Sequence, residues 1–301
     1  MIKRTLRQSI QEYIAYLKVE KNLSSGSVRQ YKFDLEKFQQ YLSGNDKEDL
    51  SLEVINTPTI RDFLAWYQTE RKIKSYTMAR KISSLKSFFQ FMVQQHYMEN
   101  DPMMFIKSPK LPRKLPLYLT EHELTDFLSK PDRTTHMGRR DFSILTLFSY
   151  TGMRLSELTG LDLDSYSFDS RTVRVMGKGS KERILPLIPL VIEALKDYLD
   201  IRPDVKEKAL FLSNREIRFS NRGIEHMVDK YRLMSGIPKG KFSPHKLRHT
   251  FATLLHHKDV DILDIQTLLG HRSVATTQIY THTSNKRLHD VVNKLNTSEN
   301  E

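Results

Sequence analysis

One short segment limits the fold of this chain more than any other. Ser108-Pro109-Lys110-Leu111-Pro112-Arg113-Lys114-Leu115-Pro116 holds three prolines and three basic residues in nine positions. Proline fixes φ and has no backbone donor, so neither a helix nor a central strand runs through such a stretch. It reads as an extended linker. It divides the 301 residues into a part covering 1–107 and a part covering 117–301, each of ordinary domain size. Its basic residues also suit a path along a phosphate backbone.

Before the linker the apolar residues recur at helical spacing. Ile10, Tyr13, Ile14 and Leu17 form a first stripe, and Val28, Tyr31, Leu35, Phe38 and Leu42 a second, entered through Ser24 and Ser25. Thr57-Pro58 predicts a third helix with Thr57 as N-cap and Pro58 at the first helical position, continuing through Ile60, Phe63, Leu64 and Tyr67. Ser75 to Tyr97 gives a fourth, with Met78, Ile82, Leu85, Phe88, Phe89 and Met92 on its stripe. Residues 1–107 are therefore expected to form a small all-α domain.

After the linker, Thr120 and Glu123 have the spacing of a capping box, and the helical pattern extends through Phe142 to Tyr150. Thr172–Val175, the turn Gly177-Lys178-Gly179-Ser180 and Arg183–Pro186 then read as a β-hairpin. Helical pattern returns over Val191–Leu199, Arg222–Met234, Lys246–His256 and Ile262–Leu269, and a last helix is predicted over Arg287–Leu295. The expected class is mainly α with a small β-sheet: an all-α domain followed by a mixed α/β domain.

The formal net charge of +12 points to a polyanion, nucleic acid before an acidic membrane surface. The plain alternative is a basic protein kept soluble by its charge. There are no cysteines, which excludes disulfides, thiolate catalysis and Cys-based zinc sites. No apolar run approaches the ~18 residues of a membrane span, and Met1 to Gln11 carries no apolar core of the signal-peptide kind. The expectation is a soluble, cytoplasmic protein.

Six residues in the second half supply what metal-free phosphoryl transfer needs: Arg154, Lys178, His245, Arg248, His271 and Tyr280. Taken singly, each also has an ordinary reading. Arg154 can form an i,i+3 surface ion pair with Glu157, worth a few tenths of a kcal/mol. Lys178 can be a polar hairpin tip. His245 follows Pro244 at a predicted helix start, a place that favours anions, and Arg248 lies one turn on. His245 and His249 are also four apart, as in some zinc sites, but no glutamate follows His245 as in the metalloprotease helix. His271 follows Gly270 at a helix end, where it can answer the helix dipole. Tyr280 can be a packed aromatic.

Their order and context carry more. The strings Thr-Gly-Met-Arg-Leu-Ser-Glu-Leu (151–158), Gly-Lys-Gly-Ser-Lys-Glu-Arg (177–183), Ser-Pro-His-Lys-Leu-Arg-His-Thr-Phe-Ala-Thr (243–253), Leu-Leu-Gly-His (268–271) and Thr-Thr-Gln-Ile-Tyr-Thr-His (276–282) resemble the tyrosine recombinase (phage integrase) family, and within it the Xer type of site-specific recombinase. The resemblance runs nearly end to end, and the stretch Thr77–Phe89 is similar to a helix of the family's N-terminal core-binding (SAM-like) domain.

The resemblance implies a C-shaped clamp on DNA, with residues 108–116 as linker and the catalytic domain over 117–301. It implies that Tyr280 attacks a DNA phosphate to give a 3′-phosphotyrosyl bond. Arg154 and Arg248 would grip the non-bridging oxygens and Lys178 would protonate the leaving 5′-oxygen. His245 would assist proton transfer at Tyr280, and His271 would hydrogen-bond the phosphate or position its neighbours. No cofactor, metal or small-molecule substrate is implied. The implied partner is a double-stranded core recombination site, bound by a homotetramer or by a heterotetramer with a paralogue on two DNA sites. The helix Arg287–Leu295 resembles a segment that docks on a neighbouring subunit. Arg80, Lys81 and Lys86 are candidate phosphate contacts, against the alternative of a solvated helix face. A type IB topoisomerase, a telomere resolvase and a DNA-binding regulator without activity are the competing readings.

Overall fold

The computed structural model describes residues 4–44, 50–71, 73–111, 117–177, 182–270 and 290–295. The chain divides into two compact units, Met1–Lys114 and Leu115–Glu301.

The first unit is helical: α1 Leu6–Val19, α2 Ser25–Ser43, α3 Thr57–Arg71 and α4 Ser75–Gln94. Thr5 closes a capping box with Gln8 at the start of α1, and the hydroxyl of Ser24 caps α2. The four apolar stripes meet in one core around Tyr13, Leu35, Phe38, Phe63, Phe88 and Phe89. Tyr13 meets Phe88 edge to face at 5.4 Å, and its hydroxyl donates to Ser87 at 2.7 Å. At α3 the predicted cap shifts by one residue. The side-chain carbonyl of Asn56 accepts from the backbone N–H of Thr59 at 3.0 Å and from its hydroxyl at 2.8 Å. Thr57 is already helical and donates its hydroxyl to the carbonyl of Pro102 at 2.9 Å. A tertiary partner claims the threonine, and the asparagine before it takes the capping role.

The second unit places α5 Glu121–Leu128, α6 His136–Thr151 and α7 Leu155–Thr159 ahead of a three-stranded antiparallel sheet. The Thr120–Glu123 capping box forms as expected. The strands are β1 Tyr166–Ser167, β2 Thr172–Met176 and β3 Glu182–Pro186, in the order β1-β2-β3, with Val173 opposite Leu185 and Val175 opposite Arg183. β1 was not expected, because two residues are too few to show alternation. The helices α8 Pro189–Leu199, α9 Asn221–Met234, α10 Pro244–His257 and α11 Ile262–Leu269 follow.

α6 is the centre of this unit, with a buried residue at most of its positions, and it packs against α8 and α10. A helix covered on most of its sides belongs inside a core, and the polar residues it buries need partners there. It is tied to α9 by Asp141, which accepts from the Tyr231 hydroxyl at 2.9 Å and from the guanidinium of Arg140. Val291, Val292 and Leu295, on the segment expected to dock on another subunit, are buried in this chain's own core; residues 287–289 of that segment lie outside the described residues. No helix among the described residues is long and apolar enough to cross a membrane.

The Asn56 cap is open to test. Asn56→Ala is expected to lower the stability of the helical unit by about 1 kcal/mol, read as a shift in the urea-unfolding midpoint, while Thr57→Val, which removes only the bond to Pro102, also lowers it.

Candidate active site

The site begins where α6 stops. Gly152 takes a left-handed conformation, φ +60°, and a Cβ there would lie 2.3 Å from the ring of Phe251. Only glycine fits both the backbone and the space. The turn it makes delivers Arg154 to the N-cap position of α7, with Glu157 in the first turn.

Glu157 accounts for much of the geometry. Its side chain is 2% exposed. It accepts from the backbone N–H of Arg154 at 2.6 Å and from Arg154 Nη1 at 2.8 Å. It also accepts both terminal nitrogens of Arg183, on β3, at 2.7 and 2.8 Å. The Arg154–Glu157 pair given as the ordinary reading of Arg154 is therefore present, but as part of a buried cluster and not as a surface pair. Burial pushes the Glu157 carboxyl up, yet the hydrogen bonds from Arg183 and from the backbone and side chain of Arg154 outweigh it and hold the carboxyl at about 2.

Arg248 comes from α10 and is buried. Its Nη1 donates to the carbonyl of Gly152 at 2.7 Å and its Nη2 to that of Leu269. Arg183 Nε donates to the carbonyl of Leu268 at 3.2 Å, and Arg154 Nη2 to that of Gly270 at 3.2 Å. Three successive carbonyls at the end of α11 thus each receive a different arginine. The C-terminal end of a helix is the negative end of its dipole and carries carbonyls with no partner inside the helix. Burial lowers Arg248 to about 10, with the charges of Arg154 and Arg183 adding to the effect, so it stays a cation at neutral pH. Three guanidiniums face one carboxylate, and the cluster keeps a net positive charge. Such an array can hold a phosphate whose charge shifts as bonds change, because its donors are fixed beforehand.

His245 is exposed at the start of α10, where Ser243 caps the helix by accepting from the N–H of Lys246 at 3.3 Å. One turn on, His249 has a buried Nε2 without a partner among the described residues. No group of three or more histidine or carboxylate side chains among the described residues is placed to hold a metal ion. Lys178, His271 and Tyr280 lie outside the described residues. Arg154 and Arg248 are brought together. Arg183 was not singled out from the sequence, which does not show which way a side chain on this strand faces. Ile184 is 51% exposed, so the strand turns its isoleucine outward and its arginine inward, and an inward arginine needs a buried anion.

Residues 118–287 match the model of the phage integrase family, and residues 10–96 match that of the phage integrase N-terminal SAM-like domain. The chain belongs to the phage integrase family. It is 37% identical over 284 residues to a tyrosine recombinase XerD of Staphylococcus epidermidis, covering 93% of this chain and 95% of that one. It is 40% identical over 295 residues to a tyrosine recombinase XerC of Myxococcus xanthus, covering 95% and 97%. Among solved structures it is similar to the XerH site-specific recombinase bound to a palindromic difH substrate in a post-cleavage complex, with a TM-score of 0.72 and 26% identity over 94% of this chain and 83% of that one. The protein is accordingly an enzyme of site-specific DNA recombination by the tyrosine recombinase mechanism.

In the SAM-like unit the expected phosphate contacts need one correction. Lys81 is fully buried, with its ammonium 3.1 Å from Asp34 and 4.0 Å from the centre of the Tyr67 ring, so it does not reach DNA. Burial pushes that ammonium down from its ordinary value, with Asp34 opposing. Arg80 also binds Asp34 but keeps 39% of its side chain exposed, and Lys86 is half-buried on the same helix. Lys81 lies three residues from Met78 and four from Leu85, within the apolar stripe of α4.

The depressed carboxyl of Glu157 fixes the sign of an acid effect. A carboxyl held lower when folded contributes stability that is fully present above its unfolded value, near 4.5, and is lost as pH falls toward about 2. The urea midpoint of the catalytic unit is expected to fall across that window, and Glu157→Gln is expected to flatten the fall while lowering stability at neutral pH.

Proposed function

We propose that this recombinase cuts a double-stranded core site through Tyr280 and exchanges strands between two such sites, in integration, excision or resolution of DNA dimers. The observation that carries this reading is the fixed, net-positive cluster of Arg154 and Arg248 around Glu157, in a chain of this family. Arg154 and Arg248 hold the non-bridging oxygens of the scissile phosphate. Arg248 contributes a charge fixed in a buried place, and Arg154 one on a side chain still 36% exposed. The Tyr280 oxygen forms a bond to phosphorus, the bond from phosphorus to the 5′-oxygen breaks, and a 3′-phosphotyrosine results. His245 helps take the phenolic proton, and Lys178 gives a proton to the departing 5′-oxygen. His271 hydrogen-bonds the phosphate or positions its neighbours.

A free phenol titrates near 10 and is a weak nucleophile at neutral pH, so positioning and proton removal supply the rest. The covalent link conserves the energy of the broken phosphodiester, and a 5′-hydroxyl from a second duplex can reverse the step with exchanged partners. No ATP, metal or other cofactor takes part in this scheme. A homotetramer, or a heterotetramer with a paralogue, would hold the two sites. Arg80 and Lys86 are proposed contacts to the DNA backbone in the SAM-like unit.

A nicked duplex, bearing a sequence that this protein itself selects from a randomised pool, tests the reading. Without divalent metal, the wild type is expected to leave a covalent protein–DNA adduct and Tyr280→Phe none. Transfer of the adduct to a second duplex separates recombination from simple nicking and resealing of the topoisomerase kind. Tight binding with no adduct would overturn the assignment of Tyr280.

A further inference from the structure

Arg183 has no part in the scheme above, yet it is bound into the centre of the site. The oxygens of Glu157 offer about four acceptor positions when ionised, and four contacts fill them. Oε1 accepts from Arg154 Nη1 at 2.8 Å and from Arg183 Nη1 at 2.7 Å. Oε2 accepts from the backbone N–H of Arg154 at 2.6 Å and from Arg183 Nη2 at 2.8 Å. Arg183 therefore makes the forked contact with the carboxylate, while the Arg154 guanidinium makes a single one.

Arg183 is also wedged. Its Nε is held on the Leu268 carbonyl at 3.2 Å, and its side chain runs so near Gly270 that a Cβ there would lie 3.1–3.3 Å from its Nη1, Cδ and Cζ. The side chain is 16% exposed, against 36% for Arg154. Of the two arginines on Glu157, one is fixed inside the protein and the other remains half turned to solvent.

The arrangement has a consequence for Arg154. Without Arg183, a carboxylate 2% exposed would lose two of its four donors. An under-satisfied buried carboxylate is costly, and the nearest adjustable donor is Arg154. Rotation of Arg154 into the forked contact would satisfy Glu157 but turn the guanidinium inward and cancel its charge pairwise. We infer that Arg183 is a positioning residue of the reaction: by occupying one side of Glu157 it leaves the Arg154 guanidinium turned outward, with Nη2 on the exposed Gly270 carbonyl at 3.2 Å, where it can meet the scissile phosphate. This rests on the reading of Arg154 as a phosphate-gripping residue.

The test compares two forms of the nicked duplex described above. One carries the ordinary phosphodiester at the scissile position. The other carries a methylphosphonate, in which a methyl group replaces one non-bridging oxygen and the negative charge is gone, each stereoisomer being assayed separately. A residue that acts on the anionic oxygens matters less on the neutral substrate. Arg183→Met keeps the aliphatic stem and removes the donors. It is expected to slow cleavage of the phosphodiester about 100-fold, the scale of a small misplacement of a catalytic group, and the methylphosphonate less than about 10-fold. Arg154→Ala is expected to show the same collapse of its deficit. Arg183→Lys restores charge without the fork and should fall between Arg183→Met and wild type; it carries the same comparison if Arg183→Met does not fold, as judged by thermal unfolding.

An Arg183→Met deficit equal on both substrates, beside an Arg154→Ala deficit that shrinks, would overturn the inference and leave Arg183 a purely structural residue. Cleavage of the phosphodiester by Arg183→Met at the wild-type rate would overturn it as well. If the Arg154→Ala deficit itself does not shrink, the reading of Arg154 is wrong and the inference falls with it.

Discussion

The catalytic unit depends on one buried negative charge. Glu157 lies almost wholly out of water, and an unpaired carboxylate there would be strongly destabilising. Its four donors come from two arginines and one backbone amide, contributed by α7 and β3. A short helix and the edge of a small sheet are thereby locked together around one ion. Removing one partner from a buried ion cluster of this kind costs on the order of 3–5 kcal/mol, because the remaining charges stay where they are. The same feature that makes the cluster costly to disturb also makes it a rigid support for chemistry.

The second constraint is the end of α11. Gly270 closes that helix in a left-handed conformation, φ +62°, which leaves the carbonyls of Leu268, Leu269 and Gly270 facing the site. Arg183, Leu268 and Glu157 form one chain of contacts, and Arg248, Leu269 and Gly152 another. Three cations can be packed side by side because neutral carbonyls and a single carboxylate separate them and absorb part of their charge. The array then meets an incoming anion with its donors already oriented, so little reorganisation is left for the reaction itself. The SAM-like unit uses the same device: a buried Asp34 gathers Arg80, Lys81 and the Ser84 hydroxyl.

Local sequence signals were read correctly where the interaction is local. The Thr120–Glu123 capping box closes within one turn of helix, and its spacing alone specifies it. The four helices of the first unit follow their apolar stripes for the same reason. Signals failed where a distant partner intervened. Thr57 is drawn away from capping by a carbonyl 45 positions along the chain, and Lys81 is drawn inward by an aspartate 47 positions back. Arg183 shares a face with Val175 across the hairpin register, so its inward direction depends on a strand pairing that composition does not reveal.

The sequence by itself determined the two-part division, the helical character of the first part, the hairpin and the family to which the chain belongs. Those properties rest on spacing, on proline and glycine chemistry, and on strings of residues that can be read in order. The tertiary structure decided what each charge does. It separated an arginine that binds a buried carboxylate from one that stays half exposed, and a lysine in a core from those on a surface. Charge has no periodicity to announce its burial, and the partner that makes burial tolerable is brought close only when the chain is folded.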